Sequence, residues 1–305
     1  MGAPMLTDSG LETWLIFHRG LDLPEFASFT LLDDGDGDGR GTLRDYYAAH
    51  LAVAGEAGVG FVLETPTWRA NADWGARLGY DLAALDRVNR EAVAFVREVA
   101  TDHAAGDVVV SGNIGPKGDG YAPDALLGLD EAASYHSAQI NAFVAAGVDR
   151  VTMLTATHAG EAAGVVAAAA GAGVPVVPAF TVETDGRLPS GQPLDEAIEE
   201  VDAATGGAAL HFGLNCAHPD HFDDTLRGSS ATLGRLGLLR ANASRASHAE
   251  LDEAETLDDG DPDELARQYA ALLGDHPHLE VLGGCCGTDI RHVEAIARAC
   301  VTAGA

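Results

Sequence analysis

The chain has 305 residues, 47% of them hydrophobic, and a formal charge of −29 from 47 acidic against 18 basic residues. That much apolar material can bury a large core, so disorder is excluded as the default, and the charge argues against nucleic acid or an anionic membrane as a partner. There is no apolar run long enough to span a bilayer, no basic-then-apolar opening in Met1 to Gly10, and only four cysteines, all in the last third, so a reducing cytoplasm is the expected compartment.

Lys117 is the only lysine, and the acids lie scattered along helices and loops, as at Asp33-Asp34, Glu199-Glu200 and Asp258-Asp259. This reads as a solvated acidic surface suited to concentrated salt, where self-repulsion is screened, and predicts a salt-loving host.

In chain order, short β-branched runs alternate with alanine-rich amphipathic stretches. The first strand is expected at Met5–Asp8. Asp33 to Gly41 (DDGDGDGRG) looks at first like a calcium loop, but it lacks the closing Glu and is expected to be a flexible acidic loop. A helix follows at Leu43–Ala57, then strand Gly60–Glu64 and helix Arg87–Ala105, strand Val108–Gly112 and helix Glu131–Ala146. Strand Arg150–Thr155 leads to helix Gly160–Ala172, and strand Val174–Phe180 to helix Leu194–Ala204. Strand Ala208–Asn215 precedes helix Pro219–Arg227, and strand Gly237–Ala241 precedes the acidic loop Leu257 to Glu264 and helix Pro262–Leu273. Strand Leu279–Gly283 and helix Ile290–Val301 close the series. Eight strand–helix units without a linker or a repeat predict one domain over residues 1–305, an α/β fold of the (β/α)8 TIM-barrel class.

Cys216 ends the sixth strand, and Cys285 and Cys286 end the eighth within Gly283-Gly284-Cys285-Cys286-Gly287-Thr288. Strand ends of such a barrel point into the active-site mouth, so the three thiols are expected to meet there. Adjacent cysteines rarely bridge each other, because the small ring distorts the peptide between them, whereas a metal lets both converge. Gly283, Gly284 and Gly287 leave the backbone free to bend. Three thiolates with no evident fourth protein ligand describe an open Zn2+ site. Its net negative charge makes it a poor carbonyl polariser but a good host for an incoming thiol, which loses its proton on binding and can then attack carbon. Cys300, inside the last helix, reads as a buried structural cysteine. A redox dithiol is the remaining alternative, against which stands the Cys-Cys rather than Cys-x-x-Cys spacing.

The sequence resembles the homocysteine S-methyltransferase family. The resemblance rests on Gly283-Gly284-Cys285-Cys286-Gly287-Thr288, on Gly213-Leu214-Asn215-Cys216, on Asn113-Ile114-Gly115-Pro116 and on Thr7-Asp8-Ser9-Gly10 with Leu11-Glu12-Thr13 after the first strand. It implies Cys216, Cys285 and Cys286 as zinc ligands, Asp8 near an amino-acid substrate, Glu64 and Thr65 lining its pocket, and Asn215 shaping the loop that presents Cys216. Each of these four noncysteine residues suits a structural role equally. Where the family carries a glutamate after strand four, this chain has Leu154, which leaves open whether homocysteine or another thiol is the acceptor. Glu183 is a candidate for the missing charge, and Asn242, in the polar segment 240–248 after strand seven, is a further candidate substrate contact. His248 suits either proton movement or a surface capping turn, and Trp14, Trp68 and Trp74 suit either a cage for an onium donor or ordinary packing.

The expected activity is transfer of a methyl group from an onium donor, of the S-methylmethionine or S-adenosylmethionine type, to homocysteine, giving methionine. The alternatives are another thiol acceptor and a non-catalytic zinc-binding barrel that serves a partner. The expected partners are the small-molecule thiol and methyl donor. The sequence carries no signal for oligomeric state.

Overall fold

The strand-forming runs are buried at nearly every position, as a parallel sheet covered by helices requires. The structure, a computed structural model, describes residues 2–33, 35, 37–121, 126–228 and 231–301. Among the described residues the strands are β1 (Met5–Thr7), β2 (Phe61–Glu64), β3 (Val108–Ile114), β4 (Arg150–Ala156), β5 (Val176–Phe180), β6 (Phe212–Asn215), β7 (Leu236–Ala241) and β8 (Val281–Gly284). Neighbours pair in parallel and in sequence order, and Leu6 pairs with both Phe61 of β2 and Leu282 of β8, which closes the barrel. The expected (β/α)8 architecture is therefore present.

The layer around the sheet comprises α1 (Gly39–Ala57), α2 (Leu82–His103), α3 (Leu129–Ala145), α4 (Ala159–Gly171), α5 (Leu194–Thr205), α6 (Pro219–Leu226), α7 (Pro262–Asp275) and α8 (Ile290–Cys300). Their apolar faces pack on the outside of the barrel in one continuous core that includes Phe61, Phe143, Phe180, Phe212 and Tyr269. α2 starts five residues before the expected Arg87, because Asp81 accepts a hydrogen bond from the Ala84 amide (2.8 Å) and caps it there. α1 starts at Gly39 and absorbs the end of the acidic run, of which Asp34 and Asp36 lie outside the described residues. The expected sixth strand shortens to Phe212–Asn215, with Leu210 54% exposed just before it.

Inward-facing residues alternate along each strand. The lower interior holds a small apolar cluster of Val62, Val177, Ala179, Leu238 and Val281. Above it, towards the carboxyl ends, the same parity brings in Glu64, Asn113, Asn215 and Arg240, so the core turns polar where the site begins. Two short helices, Ala72–Arg77 after β2 and His248–Asp252 after β7, build up the rim at this end; each is too short to leave a period in the sequence. Among the described residues no helix is long and apolar enough to cross a membrane.

A candidate metal centre at the barrel mouth

Cys216 follows β6 and Cys285 and Cys286 follow β8, and their three sulfurs lie within 4.8 Å of one another. In this structure Cys216 and Cys285 are joined as a disulfide, and Cys286 Sγ stands 3.8 Å from Cys216 Sγ. The adjacent pair is unbridged, as its ring strain predicts. Burial pushes the Cys286 thiol up to about 11, with the nearby Tyr121 hydroxyl (3.8 Å) opposing the shift. Left alone that thiol is neutral at neutral pH, so a thiolate here needs a cation beside it. Three converging sulfurs of this kind fit zinc once the disulfide is reduced.

The backbone is shaped to make this convergence possible. A Cβ on Gly10 would stand 2.5 Å from the Cys285 carbonyl oxygen, and one on Gly283 would stand 2.4 Å from Thr7 Cγ2, so glycine lets β1 press against the Cys-Cys turn. Cys285 is pinned on both sides: its amide donates to the Ala241 carbonyl (2.9 Å), and its carbonyl accepts from the Thr288 hydroxyl (2.7 Å). Cys216 has φ +54°, a conformation that a side chain disfavours and that needs outside support. That support comes through its carbonyl oxygen, which takes hydrogen bonds from His248 Nε2 (2.6 Å) and Asn242 Nδ2 (3.1 Å).

Asn215 does something similar for the opposite wall. Its side-chain oxygen accepts from the Thr155 amide (2.8 Å) and its Nδ2 donates to Thr155 Oγ1 (2.9 Å), holding Thr155 at φ +65°. Its Nδ2 is also 3.8 Å from Cys285 Sγ.

Below the sulfurs lies a narrow inner cleft lined by Asp8, Glu64, Thr65, Leu154, Asn215 and Arg240, among others. Arg240 is 4% exposed; its Nη2 pairs with Asp8 Oδ1 (2.7 Å), and its Nε donates to the Gly284 carbonyl (2.9 Å). Burial works against the Arg240 charge, but Asp8 and Glu64 outweigh it and hold the guanidinium above its ordinary value. Burial also pushes Asp8 and Glu64 upward, opposed by Arg240 for the first and by Arg150, 3.5 Å from Glu64, for the second. Thr65 is committed locally, its hydroxyl lying 2.6 Å from that of Thr67 and accepting from the Asn113 amide (2.9 Å).

A second, wider outer cleft meets the first along Thr13, Phe26, Trp68, Tyr121 and Cys286. Asp119, Asp252 and Asp258 line it against one cation, Arg69.

Several candidate residues fall outside both clefts. Glu183 lines neither; its carboxylate lies 3.0 Å from His248 Nδ1, on the far side of that ring from Cys216. Asn242 works on the Cys216 backbone rather than on the clefts. The Trp14–Trp68–Trp74 cage is not formed: Trp14 packs on Tyr46 and Arg19, while the Arg69 guanidinium lies between Trp68 (4.1 Å) and Trp74 (3.6 Å) and occupies both faces. His248 is buried, stacked on Tyr121 at 4.1 Å, and is not a surface cap. Cys300 sits in α8, away from the cluster.

Sequence reasoning passed over Arg240 and Tyr121. For Arg240 a signal existed: a lone charge inside the run Gly237-Leu238-Leu239-Arg240-Ala241 must be buried with a partner. For Tyr121, in a glycine-rich loop, none did.

The profile of the family described as homocysteine S-methyltransferase matches residues 5–300. Methionine synthases of Mycobacterium tuberculosis and Mycobacterium leprae are each 30% identical over 138 residues, 43% of this chain and 10% of theirs, so the match spans about a tenth of those proteins. Among solved structures, the homocysteine methyltransferase MmuM of Escherichia coli is similar in its oxidised form (TM-score 0.77, 19% identity, 97% of this chain and 95% of that one). Its metallated form is also similar (TM-score 0.74, 20% identity, 97% and 96%), which at such identity speaks to the fold. With the profile spanning nearly the whole barrel, the chain belongs to the homocysteine S-methyltransferase family.

Proposed function

We propose that this chain methylates the thiol of homocysteine, using an onium methyl donor and Zn2+ held by Cys216, Cys285 and Cys286. The observation that carries the reading is the convergence of three sulfurs at the junction of two clefts, so that a thiol in the inner one and a donor in the outer one meet at Cys286. Bound there, zinc would supply the positive charge that makes the acceptor a thiolate at neutral pH.

The rest is positioning by the chain's own residues. His248 and Asn242 hold Cys216 through its carbonyl, the Ala241 carbonyl and Thr288 hold Cys285, and the aromatic neck of Phe26, Trp68 and Tyr121 narrows the passage between the clefts. Three carboxylates against one guanidinium favour a cationic donor in the outer cleft, such as a sulfonium. As the thiolate sulfur forms its bond to the methyl carbon, the carbon–onium bond breaks and the donor leaves neutral. No general base is needed, and holding the partners in line supplies much of the acceleration.

Metal binding requires the Cys216–Cys285 pair in its reduced state, which supports a reducing, cytoplasmic setting. The acidic composition supports a salt-rich one. A second reading, a reversible dithiol, is favoured by the disulfide itself and makes the opposite prediction about tight zinc retention.

The test is methionine formation by reduced, zinc-loaded protein in high salt, with homocysteine and S-methylmethionine, S-adenosylmethionine or betaine. Zinc-dependent methionine from a sulfonium donor is the expected result. No methionine with any donor, from protein that retains zinc, would move the acceptor to another thiol.

A further inference from the structure

The three cysteines stand unequally to the two clefts. All of them line the inner cleft, but Cys286 is the one that also borders the outer cleft, and Cys216 is buried. With an onium donor in the outer cleft, Cys286 is therefore the protein's own sulfur in the path of the methyl group. A ligand thiolate is a nucleophile of the same kind as the acceptor's. Were Cys286 to attack, its sulfur would bond to the methyl carbon as the carbon–onium bond broke. The donor would leave neutral, and the cysteine would end as an uncharged thioether, lost to the metal site.

Tyr121 meets this sulfur. Its hydroxyl lies 3.8 Å from Cys286 Sγ, and its ring forms part of the wall shared by both clefts. The ring is held by stacking on His248, with centroids 4.1 Å and planes 25° apart. The loop behind it is pinned as well. The Tyr121 amide donates to Asp119 Oδ1 (2.8 Å), and the Gly118 carbonyl accepts from Arg69 Nη1 (3.1 Å) and Trp74 Nε1 (3.3 Å). A thiolate has no proton to give, so in the ligand state the phenol donates and the sulfur accepts.

We infer that Tyr121 protects Cys286 from methylation by hydrogen-bonding to its sulfur, which keeps it a ligand and withholds it as a nucleophile. A charge-assisted hydrogen bond stabilises the thiolate and is largely lost in a thioether, whose sulfur is a weak acceptor. An interaction stronger before the transition state than in it raises the barrier, and here it does so at one sulfur only. This rests on the proposed reaction for the thiolate ligands and the onium donor, and adds what keeps the two from reacting with each other.

The variant Y121F keeps the ring and its stack on His248 and removes the hydroxyl. Reduced, zinc-loaded wild type and Y121F are treated with methyl iodide, a probe that needs no donor site, and each methylated cysteine is located by tandem mass spectrometry. Cys285, whose sulfur has Asn215 Nδ2 at 3.8 Å instead, is the internal reference. Methylation of Cys286 relative to Cys285 should rise about tenfold in Y121F, the size of one lost hydrogen bond to a charged group. An unchanged ratio overturns the inference.

Cobalt substitution separates the lost hydrogen bond from a passage merely widened by the missing oxygen. A thiolate without its hydrogen bond holds its electrons less tightly, so the sulfur-to-cobalt charge-transfer band should move to longer wavelength in Y121F. A band that stays in place overturns the inference even if labelling rises. Protection of Cys286 in a protein that forms no methionine would contradict the proposed reaction alone. Methionine formation with unchanged labelling of Cys286 would contradict this inference alone.

Discussion

His248 Nε2 lies 2.6 Å from the carbonyl oxygen of Cys216, although 32 residues of chain and the whole of β7 separate them. The contact holds in place a peptide whose φ of +54° a cysteine does not adopt readily. It joins the start of the short helix after β7 to the backbone that carries the sulfur after β6, so the geometry of the cluster depends on a residue that offers it no ligand atom.

Replacing His248 with alanine leaves that carbonyl with Asn242 as its main support and frees the Cys216 turn. Zinc affinity, read by competition with a chromophoric chelator, should fall by about tenfold or more, as for other residues that orient metal ligands. Circular dichroism should report an unchanged barrel. Unchanged zinc affinity would mean that His248 does not position Cys216.

Removing a sulfur should be harsher. Cys285→Ser replaces a soft ligand with a hydroxyl and should abolish methyl transfer, with zinc lost on dialysis. Chelation of the unaltered protein should do the same, and re-addition of zinc should restore activity. Turnover by the serine variant or by the chelated protein would sink the metal-dependent mechanism.

The barrel was legible in the sequence because most strands carry β-branched or leucine residues and most helices are alanine-containing amphipathic stretches, although β6 (FGLN) and α6 (PDHFDDTL) depart from that pattern. The order β1 to β8 needed no other information. The three cysteines were legible because they sit at strand ends in a glycine-rich context. The side-chain partners were not: that Glu183 turns to His248, that Arg69 fills the space between Trp68 and Trp74, and that Arg240 meets Asp8 and the carbonyl of Ser9, 231 residues away, are consequences of barrel closure. A period reports which face is buried, not which polar group waits there.

Acid sensitivity follows from buried histidines. Burial holds His50 and His211 down at about 4, against an ordinary 6.5, partly offset by the backbone carbonyls of Tyr46 and Phe212. The unfolded chain therefore binds protons near pH 6.5 that the folded chain accepts only near 4, and stability is lost as pH falls through that window. Each histidine accounts for at most about 3 kcal/mol. Urea midpoints should drop between pH 7 and 5, and His211→Gln should flatten the slope. A midpoint independent of pH over this range would contradict the assignment.

The charge of −29 sets the salt response. At 1 M salt the screening length is about 3 Å, so repulsion among exposed carboxylates collapses. Melting temperature should climb steadily between low salt and molar sodium or potassium chloride. A protein equally stable without added salt would exclude a halophilic adaptation.

The proposed reaction depends on zinc held by Cys216, Cys285 and Cys286 taking up the acceptor thiol. X-ray absorption at the zinc edge, on reduced protein before and after homocysteine, tests it most directly. The expected first shell is three sulfur ligands with a lighter fourth atom that becomes a fourth sulfur, at about 2.3 Å, when homocysteine is added. A first shell unchanged by homocysteine, or one already closed without it, would contradict it.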